Sequence, residues 1–187
     1  MPEQNCLRDF EQEVLPHLDA AYNLARWLTC NDQDAQVVVQ EAYMRAFRSF
    51  GGFRGANLRP WLLRVVRNTC YTRLQVNQLE QPTTKFDEEP FVPDPEAQNL
   101  EGVLLRSDSS KLLRQALETL PMGSREVLVL RELQGMTYKE ISEVTGMPRG
   151  RVMSRLSRAR SRLRQTLTYL VNAGTAPRSL RIATSNA

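Results

Sequence analysis

The sequence has little of what metal sites and catalytic centres use most. It contains one histidine, His17, and three cysteines among 187 residues: Cys6, Cys30 and Cys70. Their odd number and wide separation fit neither a disulfide framework nor paired C-x-x-C zinc knuckles. A G-x-x-x-x-G-K loop and a nucleophile motif are also absent, which disfavours an enzyme. We expect buried free thiols, and predict no catalytic residue, no metal and no cofactor.

Long hydrophobic runs are missing as well. No segment approaches the roughly 18 consecutive apolar residues that a bilayer span needs. Residues 1–13, MPEQNCLRDFEQE, lack the basic start and apolar run of a signal peptide. With 41% hydrophobic and 25% charged residues, the composition is that of a chain that folds around modest cores. These features predict a cytoplasmic protein without membrane insertion.

Acidic residues are absent from two long stretches, 42–79 and 144–187, although the chain has 21 of them. The first stretch carries seven arginines, and residues 111–187 carry fourteen basic residues against five acidic ones. Only three of the 25 basic residues are lysines. A guanidinium can pair with phosphates or guanine edges through two hydrogen bonds. The pattern therefore favours two nucleic-acid contacts over solvated helix faces, the simpler alternative.

An acidic segment separates the two basic blocks. Residues 80–110 hold eight acidic and two basic residues, with four prolines between positions 82 and 95. This composition neither continues a helix nor forms a core. On both sides apolar residues recur at helical spacing, and no alternating strand pattern occurs. The sequence predicts an all-α protein of two small domains of about four helices each, at 1–77 and 111–171, with an acidic linker at 78–110 and a flexible tail at 172–187.

The strongest local pattern is MTYKEISEVTGMPRGRVMSRL in the second domain. Thr137 and Glu140 predict a capping box at the start of one helix, and Gly146 predicts the turn after it. The apolar spacing that follows predicts a second helix packed on the first, which makes a helix-turn-helix. Arginines at the start of the second helix would reach base edges in a major groove, and later ones would reach phosphates. A basic surface helix without DNA contacts is the alternative.

The segment FGGFRGANLRPWLLRVVRNTCYTRLQ joins a glycine-rich loop to an amphipathic helix in which aromatic residues stand among arginines. Aromatic rings stack on bases while cations hold the phosphate backbone, so the pattern is typical of single-strand binding. Phe53 and Asn57 lie in the loop, where they could contact a flipped base. Trp61 fits a core position as well as it fits a contact with DNA.

Upstream, the segment DAQVVVQEAYMRAF places Asp34, Gln40 and Glu41 on helical turns that are otherwise apolar or small. Polar groups in such a surface indicate a protein partner. A plain amphipathic helix explains them nearly as well.

Together these motifs resemble the extracytoplasmic-function (ECF) sigma factors of bacterial RNA polymerase, over about residues 8–77 and 111–171. DAQVVVQEAYMRAF is similar to the helix that docks on the polymerase clamp, and FRG…RPWLLRVVRN to the segment that melts and reads the minus-10 element. The helix-turn-helix resembles the minus-35-reading domain. The resemblance implies core-polymerase contacts at Asp34, Gln40, Glu41, Tyr43 and Phe47. It implies minus-10 contacts at Phe53, Arg54, Asn57, Arg59, Trp61, Arg64, Arg67, Asn68, Tyr71 and Arg73, and minus-35 contacts at Arg149, Arg151, Ser154, Arg155 and Arg158.

The function that this resemblance implies is that of an alternative sigma factor, which is not an enzyme. Such a protein binds the clamp and flap regions of core RNA polymerase, directs it to promoters through their minus-35 and minus-10 elements, and promotes opening. Its partners would be duplex DNA at minus-35, single-stranded DNA at minus-10 and an anti-sigma factor, which the family often uses. The alternative is a conventional helix-turn-helix regulator that binds operators without polymerase.

Overall fold

The computed structural model describes residues 2–53, 55, 57–80 and 109–175, with side chains described over 7–53, 55, 57–76 and 112–171. Within these ranges the chain forms eight α-helices and no strand, which confirms the all-α prediction. The N-terminal half contains α1 (Pro2–Val14), α2 (Leu18–Thr29), α3 (Asp32–Phe50) and α4 (Leu58–Glu80). The C-terminal half contains α5 (Ser109–Glu118), α6 (Met122–Leu128), α7 (Tyr138–Thr145) and α8 (Arg149–Thr175).

Two short irregular helices complete this order. A 3₁₀ turn at Leu15–His17 joins α1 to α2, and a π-turn at Val129–Leu133 continues α6. The predicted acidic linker lies outside the described residues between 81 and 108, and the predicted tail lies outside them beyond Thr175. Of the helices described, none is both long and apolar enough to cross a bilayer.

The N-terminal half is built on defined helix ends. Cys30 ends α2 in the left-handed conformation, with φ of 56°. Asn31 then caps α3, because its Oδ1 accepts hydrogen bonds from the N–H groups of Gln33 and Asp34 at 2.8 and 3.1 Å. Helices α2, α3 and α4 pack on one another, and α1 covers a smaller buried cluster. The tight turn between α2 and α3 thus sets the direction in which α3 presents its outer face.

The helix-turn-helix forms as the sequence predicts. The Thr137 hydroxyl accepts from the N–H of Glu140, and the Glu140 carboxylate accepts from the N–H of Thr137, so the capping box at the start of α7 is complete. Gly146 ends α7 with φ of 72°, which favours glycine. Val152 and Leu156 of α8 are fully buried, and α8 packs across α7.

The two halves share one hydrophobic core, which the sequence did not predict. Leu24 and Leu28 of α2 belong to the same buried cluster as Leu117, Leu120 and Val127 in the C-terminal half. Helix α4 packs along α7, and α2 packs along α6. The chain is therefore closed, with its two halves in direct contact.

Candidate nucleic-acid interface

One group of predicted minus-10 residues borders an open cleft of about 560 Å³. Phe53, Asn57, Trp61 and Arg64 line it from the N-terminal half. The Phe53 and Trp61 rings lie with their centroids 4.8 Å apart, and Trp61 also packs on the buried cluster that contains Phe10. Trp61 is therefore partly packed on the core and partly in the cleft wall, and its contact with DNA stays a prediction. Asn68 is exposed, and its Oδ1 accepts a hydrogen bond from Arg67 Nη1 at 3.2 Å.

The opposite wall of the cleft comes from the C-terminal half: Thr137, Lys139, Glu140 and Glu143. Asn57 Nδ2 donates a hydrogen bond to Glu140 Oε1 at 3.1 Å. Hydrogen bonds from the backbone and side chain of Thr137 lower the pKa of Glu140, so this carboxyl group is ionised at neutral pH. A carboxylate of the C-terminal half therefore holds the side-chain amide of Asn57, a residue predicted to contact DNA.

A second group of predicted minus-10 residues is held more firmly by the C-terminal half. Arg67 Nε donates to Glu126 Oε1, and the Tyr71 hydroxyl donates to Glu126 Oε2 at 3.1 Å. The Arg67 guanidinium also lies over the Tyr71 ring, 4.3 Å from its centroid. The Glu126 side chain is 0% exposed. Burial raises its pKa, and the Arg67 charge opposes that shift.

Arg59 is held at the same interface. Its Nη2 donates to the backbone oxygen and to the side-chain Oε1 of Gln134, at 2.8 and 2.9 Å. Gln134 is buried and donates in turn to the backbone oxygen of Ala20 at 3.4 Å. Gln134 follows the π-turn, and its N–H bonds to the Val129 oxygen at 3.0 Å. The irregular helix thus brings the backbone and the side chain of one residue to the same arginine.

One predicted minus-10 residue, Arg73, has its partner within the N-terminal half. Arg73 donates through Nε and Nη2 to Asp34 Oδ1, at 3.3 and 3.2 Å, within the N-terminal half. A residue assigned to DNA and a residue assigned to polymerase therefore pair with each other. Arg54 lies outside the described residues.

The start of α8 presents the predicted minus-35 residues. Arg149 and Arg151 are exposed, and Ser154 and Arg158 are half-buried. The Ser154 hydroxyl donates to the backbone oxygen of Arg151 at 3.1 Å, and Arg158 Nε donates to the backbone oxygen of Ser154 at 3.4 Å. The first turn of α8 is thus the most accessible part of the helix-turn-helix.

Arg155 has an inward neighbour. A Cβ atom on Gly123, in the first turn of α6, would lie 2.9 Å from Arg155 Nη1. The Arg155 charge also acts to lower the pKa of buried Glu126. The charges of one arginine of α4 and one arginine of the recognition helix therefore both act on Glu126.

Helix α3 carries a stripe that combines apolar and polar side chains, which we call the docking stripe: Val37, Gln40, Glu41, Met44 and Phe47. Glu41 is half-buried and the other four are exposed. Val37, Met44 and Phe47 are 41%, 56% and 40% exposed. Glu41 pairs with Arg45 on the same helix. A stripe of this kind at helical spacing, outside the core, is typical of a protein-binding surface.

Tyr43, which is predicted to contact core polymerase, faces inward and is not part of the docking stripe. Its hydroxyl donates to the Val14 oxygen at 3.3 Å, and burial raises its pKa to about 12. Its ring meets Phe10 edge to face, at a centroid distance of 6.2 Å. Tyr43 therefore supports the helix that carries the stripe.

The two cysteines whose side chains are described, Cys30 and Cys70, are free thiols. Cys70 is buried and free, and burial raises its pKa to about 12, which makes it unreactive. Cys30 is free and half-buried. The side chain of Cys6 lies outside the described residues. Among the residues described, no three His, Cys, Asp or Glu side chains are grouped so that they could hold a metal ion.

Comparison with known proteins identifies both halves. Residues 14–79 match the family Sigma-70 region 2, and residues 110–163 match Sigma-70, region 4. The fold and the site therefore define a sigma factor, a class of transcription initiation factors. The chain is 32% identical to the RNA polymerase sigma-H factor of Pseudomonas aeruginosa over 171 residues, covering 88% of this chain and 89% of that one. It is also 32% identical to the ECF RNA polymerase sigma-E factor of Escherichia coli K12 over 145 residues, covering 74% and 76%.

Solved structures agree with these relatives. The sigma factor RpoE, in complex with the anti-sigma factor NepR from Bartonella quintana, matches with a TM-score of 0.67 and 27% identity over 86% of this chain and 98% of that one. CnrH, in complex with the cytosolic domain of CnrY, matches with a TM-score of 0.60 and 26% identity over 89% and 90%. The chain belongs to the ECF sigma factors. Its function is that of an RNA polymerase sigma factor and not that of a regulator independent of polymerase.

Proposed function

We propose that the N-terminal half docks on core RNA polymerase and reads the opened minus-10 strand, while the C-terminal half reads the minus-35 duplex. One observation carries this assignment: a single chain bears two separate arginine-rich helical faces. The first is on α4, where Arg64 borders the cleft beside Trp61, and the second is the first turn of α8 at Arg149 and Arg151. We assign the first role to residues 1–77 and the second to 111–171, with 78–110 as the connection and 172–187 as a tail.

The cleft has the chemistry that an unpaired base requires. Phe53 and Trp61 offer ring faces for stacking, which contributes about 1–3 kcal/mol per base. The Asn57 amide can donate to and accept from a base edge, and the exposed Arg64 can neutralise a phosphate. Binding energy of this kind favours the melted state because the duplex cannot present an extruded base.

The recognition helix supplies the duplex contacts. Arg149, Arg151 and Arg155 stand at the end of α8 that would enter a major groove, where a guanidinium can bond to guanine O6 and N7. Ser154 lies beside Arg155, and Arg158 lies one turn further along, where phosphates are within reach. In this scheme the chain contributes binding energy to promoter opening and no catalytic step.

The docking stripe is the surface that we assign to the polymerase clamp, with Asp34 and Tyr43 supporting it, while the C-terminal half meets the flap region. A related sigma factor binds an anti-sigma factor, and we propose a partner of the same kind for this chain. The chain would act in the cytoplasm, where core polymerase transcribes the genome.

Transcription in vitro tests the proposal. Core polymerase is incubated with genomic DNA with and without the chain, and transcript start sites are mapped. We expect new start sites that share one minus-35 and one minus-10 sequence. Start sites unchanged by the chain would overturn the proposal, as would operator binding by the chain alone that does not alter the start sites.

Reversal of charge in the docking stripe tests the polymerase contact. Glu41→Lys should weaken association with core polymerase, measured by co-purification and fluorescence titration. Glu11→Lys makes the same charge change at an exposed position of α1 and should retain binding. Equal binding by both variants would move the docking surface elsewhere.

Truncation of Arg155 tests the recognition helix. If Arg155 reads a base, Arg155→Ala should cost about 1–3 kcal/mol at one promoter position and relax specificity there. Binding of a library of minus-35 duplexes measures this. A loss spread evenly over all sequences would make Arg155 a phosphate contact.

A further inference from the structure

The recognition helix carries a large apolar side chain that lies outside the core. Met153 is 53% exposed, whereas Val152 and Leu156 on the same helix are buried. Among residues 149–162, all of whose side chains are described, Met153 is the one large apolar residue that the core does not bury. A single exposed apolar side chain is ordinary on a protein surface, so its exposure alone assigns nothing. Its place on the helix that we assign to minus-35 DNA is what gives it a role.

Helical rotation places Met153 at one edge of the outward face of α8. Three buried residues mark the inward side: Val152, Leu156 and Ala159. Successive residues of an α-helix are rotated by about 100°. On this rotation Arg151 lies at the other edge of the outward face, roughly 160° from Met153. Gly150 and Ser154 lie between the two, at the centre of the face.

The centre of this face is occupied by small residues. Gly150 has no side chain, and a Cβ atom built on it would meet nothing within 4 Å. The Ser154 hydroxyl donates to the backbone oxygen of Arg151 at 3.1 Å, so it folds back on its own helix. The helix backbone can therefore approach the floor of a major groove closely at its centre. The long side chains of Arg151 and Met153 then reach base edges on either side.

The two edges of the face offer opposite chemistry. Arg151 presents charged donors, which suit guanine or phosphate, while the thioether of Met153 donates no hydrogen bond and accepts only weakly. Against the polar edges of guanine, adenine or cytosine, Met153 would displace water without a hydrogen bond in return. Thymine differs because its C5 methyl group is an apolar surface in the major groove. A flexible, unbranched side chain such as methionine can pack on that methyl group.

We propose that Met153 is a specificity-determining residue that packs on the C5 methyl group of a thymine, so that the minus-35 element of this sigma factor contains an A·T pair at that position. The proposal rests on the assignment of α8 to minus-35 DNA and names a base that the element contains. Arg149 lies one turn before Met153, about 6 Å along the helix axis. Because bases of one strand are about 3.4 Å apart, the thymine lies within roughly two base pairs of the contact made by Arg149.

Replacement of thymine by uracil tests the contact, because it removes the methyl group and keeps every hydrogen-bonding atom. The full chain is assembled with core polymerase, and its preferred minus-35 sequence is selected from a duplex library. Each thymine of that sequence is then replaced in turn by deoxyuridine, and binding is measured at low temperature, where the minus-10 region stays paired. At one thymine, on either strand, the dissociation constant should rise about fourfold, which corresponds to roughly 0.8 kcal/mol for one methyl group. A selected element without thymine, or no loss at any thymine, would overturn the proposal.

Variants of Met153 connect the loss to this side chain. Met153→Ala should bind the thymine and uracil duplexes equally, because the apolar contact is missing from both complexes. Alanine is a strong helix former, so this variant should keep the fold of α8. Met153→Leu retains an apolar side chain and should keep most of the fourfold difference. A fourfold difference that persists in Met153→Ala would place another residue on the methyl group and reject the proposal.

Leu133→Ala is the matched control. Leu133 is 47% exposed, is apolar and lies in the C-terminal half outside α8, so its truncation makes a similar change away from the groove. This variant should keep the full fourfold difference between thymine and uracil. Loss of the difference in Leu133→Ala as well would show that the effect is not a contact of Met153.

A contact with polymerase is the other role open to an exposed methionine on this helix. In that case Met153→Ala would weaken association of the chain with core polymerase in the absence of DNA, and the ratio of the thymine and uracil dissociation constants would stay at its parent value. We expect the reverse: unchanged association, measured by fluorescence titration, and a ratio near one. The first result would overturn the proposal.

The outcomes separate this inference from the proposed function. If the assembled polymerase selects no minus-35 sequence, the function proposed for α8 fails. If it selects a sequence but no effect of a thymine methyl group depends on Met153, only the thymine contact fails and the minus-35 assignment stands.

Discussion

The two DNA-reading surfaces of this sigma factor differ in accessibility. The recognition helix begins with Arg149 and Arg151 exposed, whereas Arg59 and Arg67 of α4 are bonded to residues of the C-terminal half. Both surfaces are rich in arginine, so residue type does not explain the difference. Their places in the fold do: α4 packs directly on α7, whereas the first turn of α8 is exposed.

Residues 42–79 contain no acidic residue, and three of the arginines there form ion pairs with acidic residues outside the segment. Arg45 pairs with Glu41, and Arg73 pairs with Asp34, both upstream in the sequence. Arg67 pairs with Glu126 of the other half. The charge segregation that marks a nucleic-acid-binding segment also makes that segment a partner for acidic residues far along the chain.

The largest effect should come from the core that both halves share. Leu156→Ala removes a side chain that is 1% exposed and should cost about 2–5 kcal/mol. Both tryptophans, Trp27 and Trp61, lie in the N-terminal half, so their fluorescence reports on that half while circular dichroism reports on the whole chain. We expect one denaturant transition. Leu156→Ala should shift its midpoint by the same amount whether tryptophan fluorescence or circular dichroism is used.

Leu133→Ala is the control for this measurement, because Leu133 is 47% exposed and should change the midpoint little. If Leu156→Ala left the midpoint measured by tryptophan fluorescence unchanged, the two halves would unfold independently. The comparison of an open and a covered surface would then lose its structural basis.

The next effect concerns the cleft. Trp61→Ala should impair open-complex formation by about 1–3 kcal/mol, the contribution of one stacked base, while binding to the closed duplex changes less. Reactivity of unpaired thymines to permanganate measures the opening. Trp61→Phe retains a ring for stacking and should preserve most of it. Equal loss in duplex binding and opening would assign Trp61 to the core alone.

A smaller effect is expected at the cap of α7, the helix that the C-terminal half presents to α4. Thr137→Ala removes the capping oxygen and should cost about 1 kcal/mol. Thr137→Ser keeps the hydroxyl and should be close to the parent chain. Thermal unfolding measures both. If Thr137→Ala had no effect on stability, the cap would be dispensable for α7.

The smallest effect depends on pH. The pKa of Glu140 lies below its ordinary value of 4.5 in the folded chain, so its contribution to stability is present above that value and is lost as the pH falls through the lowered pKa. Glu140→Gln should therefore destabilise the chain at neutral pH, and the difference should disappear as the pH falls through the lowered pKa of Glu140. A difference in unfolding temperature that stays constant across this range would contradict the assignment.

The local structure could be predicted from the sequence because its signals are local. The capping box at Thr137 and the left-handed turn at Gly146 depend on residues within a few positions, and both form as predicted. The contacts of Arg67 and Arg59 could not be predicted from the sequence, because their partners lie 59 and 75 positions away. The one available signal was the lack of acids in 42–79, and it does not identify the partner.

The π-turn at Val129–Leu133 makes the orientation of the residues after it depend on the number of residues in the turn. A π-turn holds one residue more per turn than an α-helix, and one α-helical residue corresponds to a rotation of about 100°. Deletion of a single residue there would restore regular winding and swing Gln134 away from Arg59 by roughly a quarter of a circle. The number of residues between α6 and α7, as much as their chemistry, sets the angular alignment of the two helices toward the rest of the molecule.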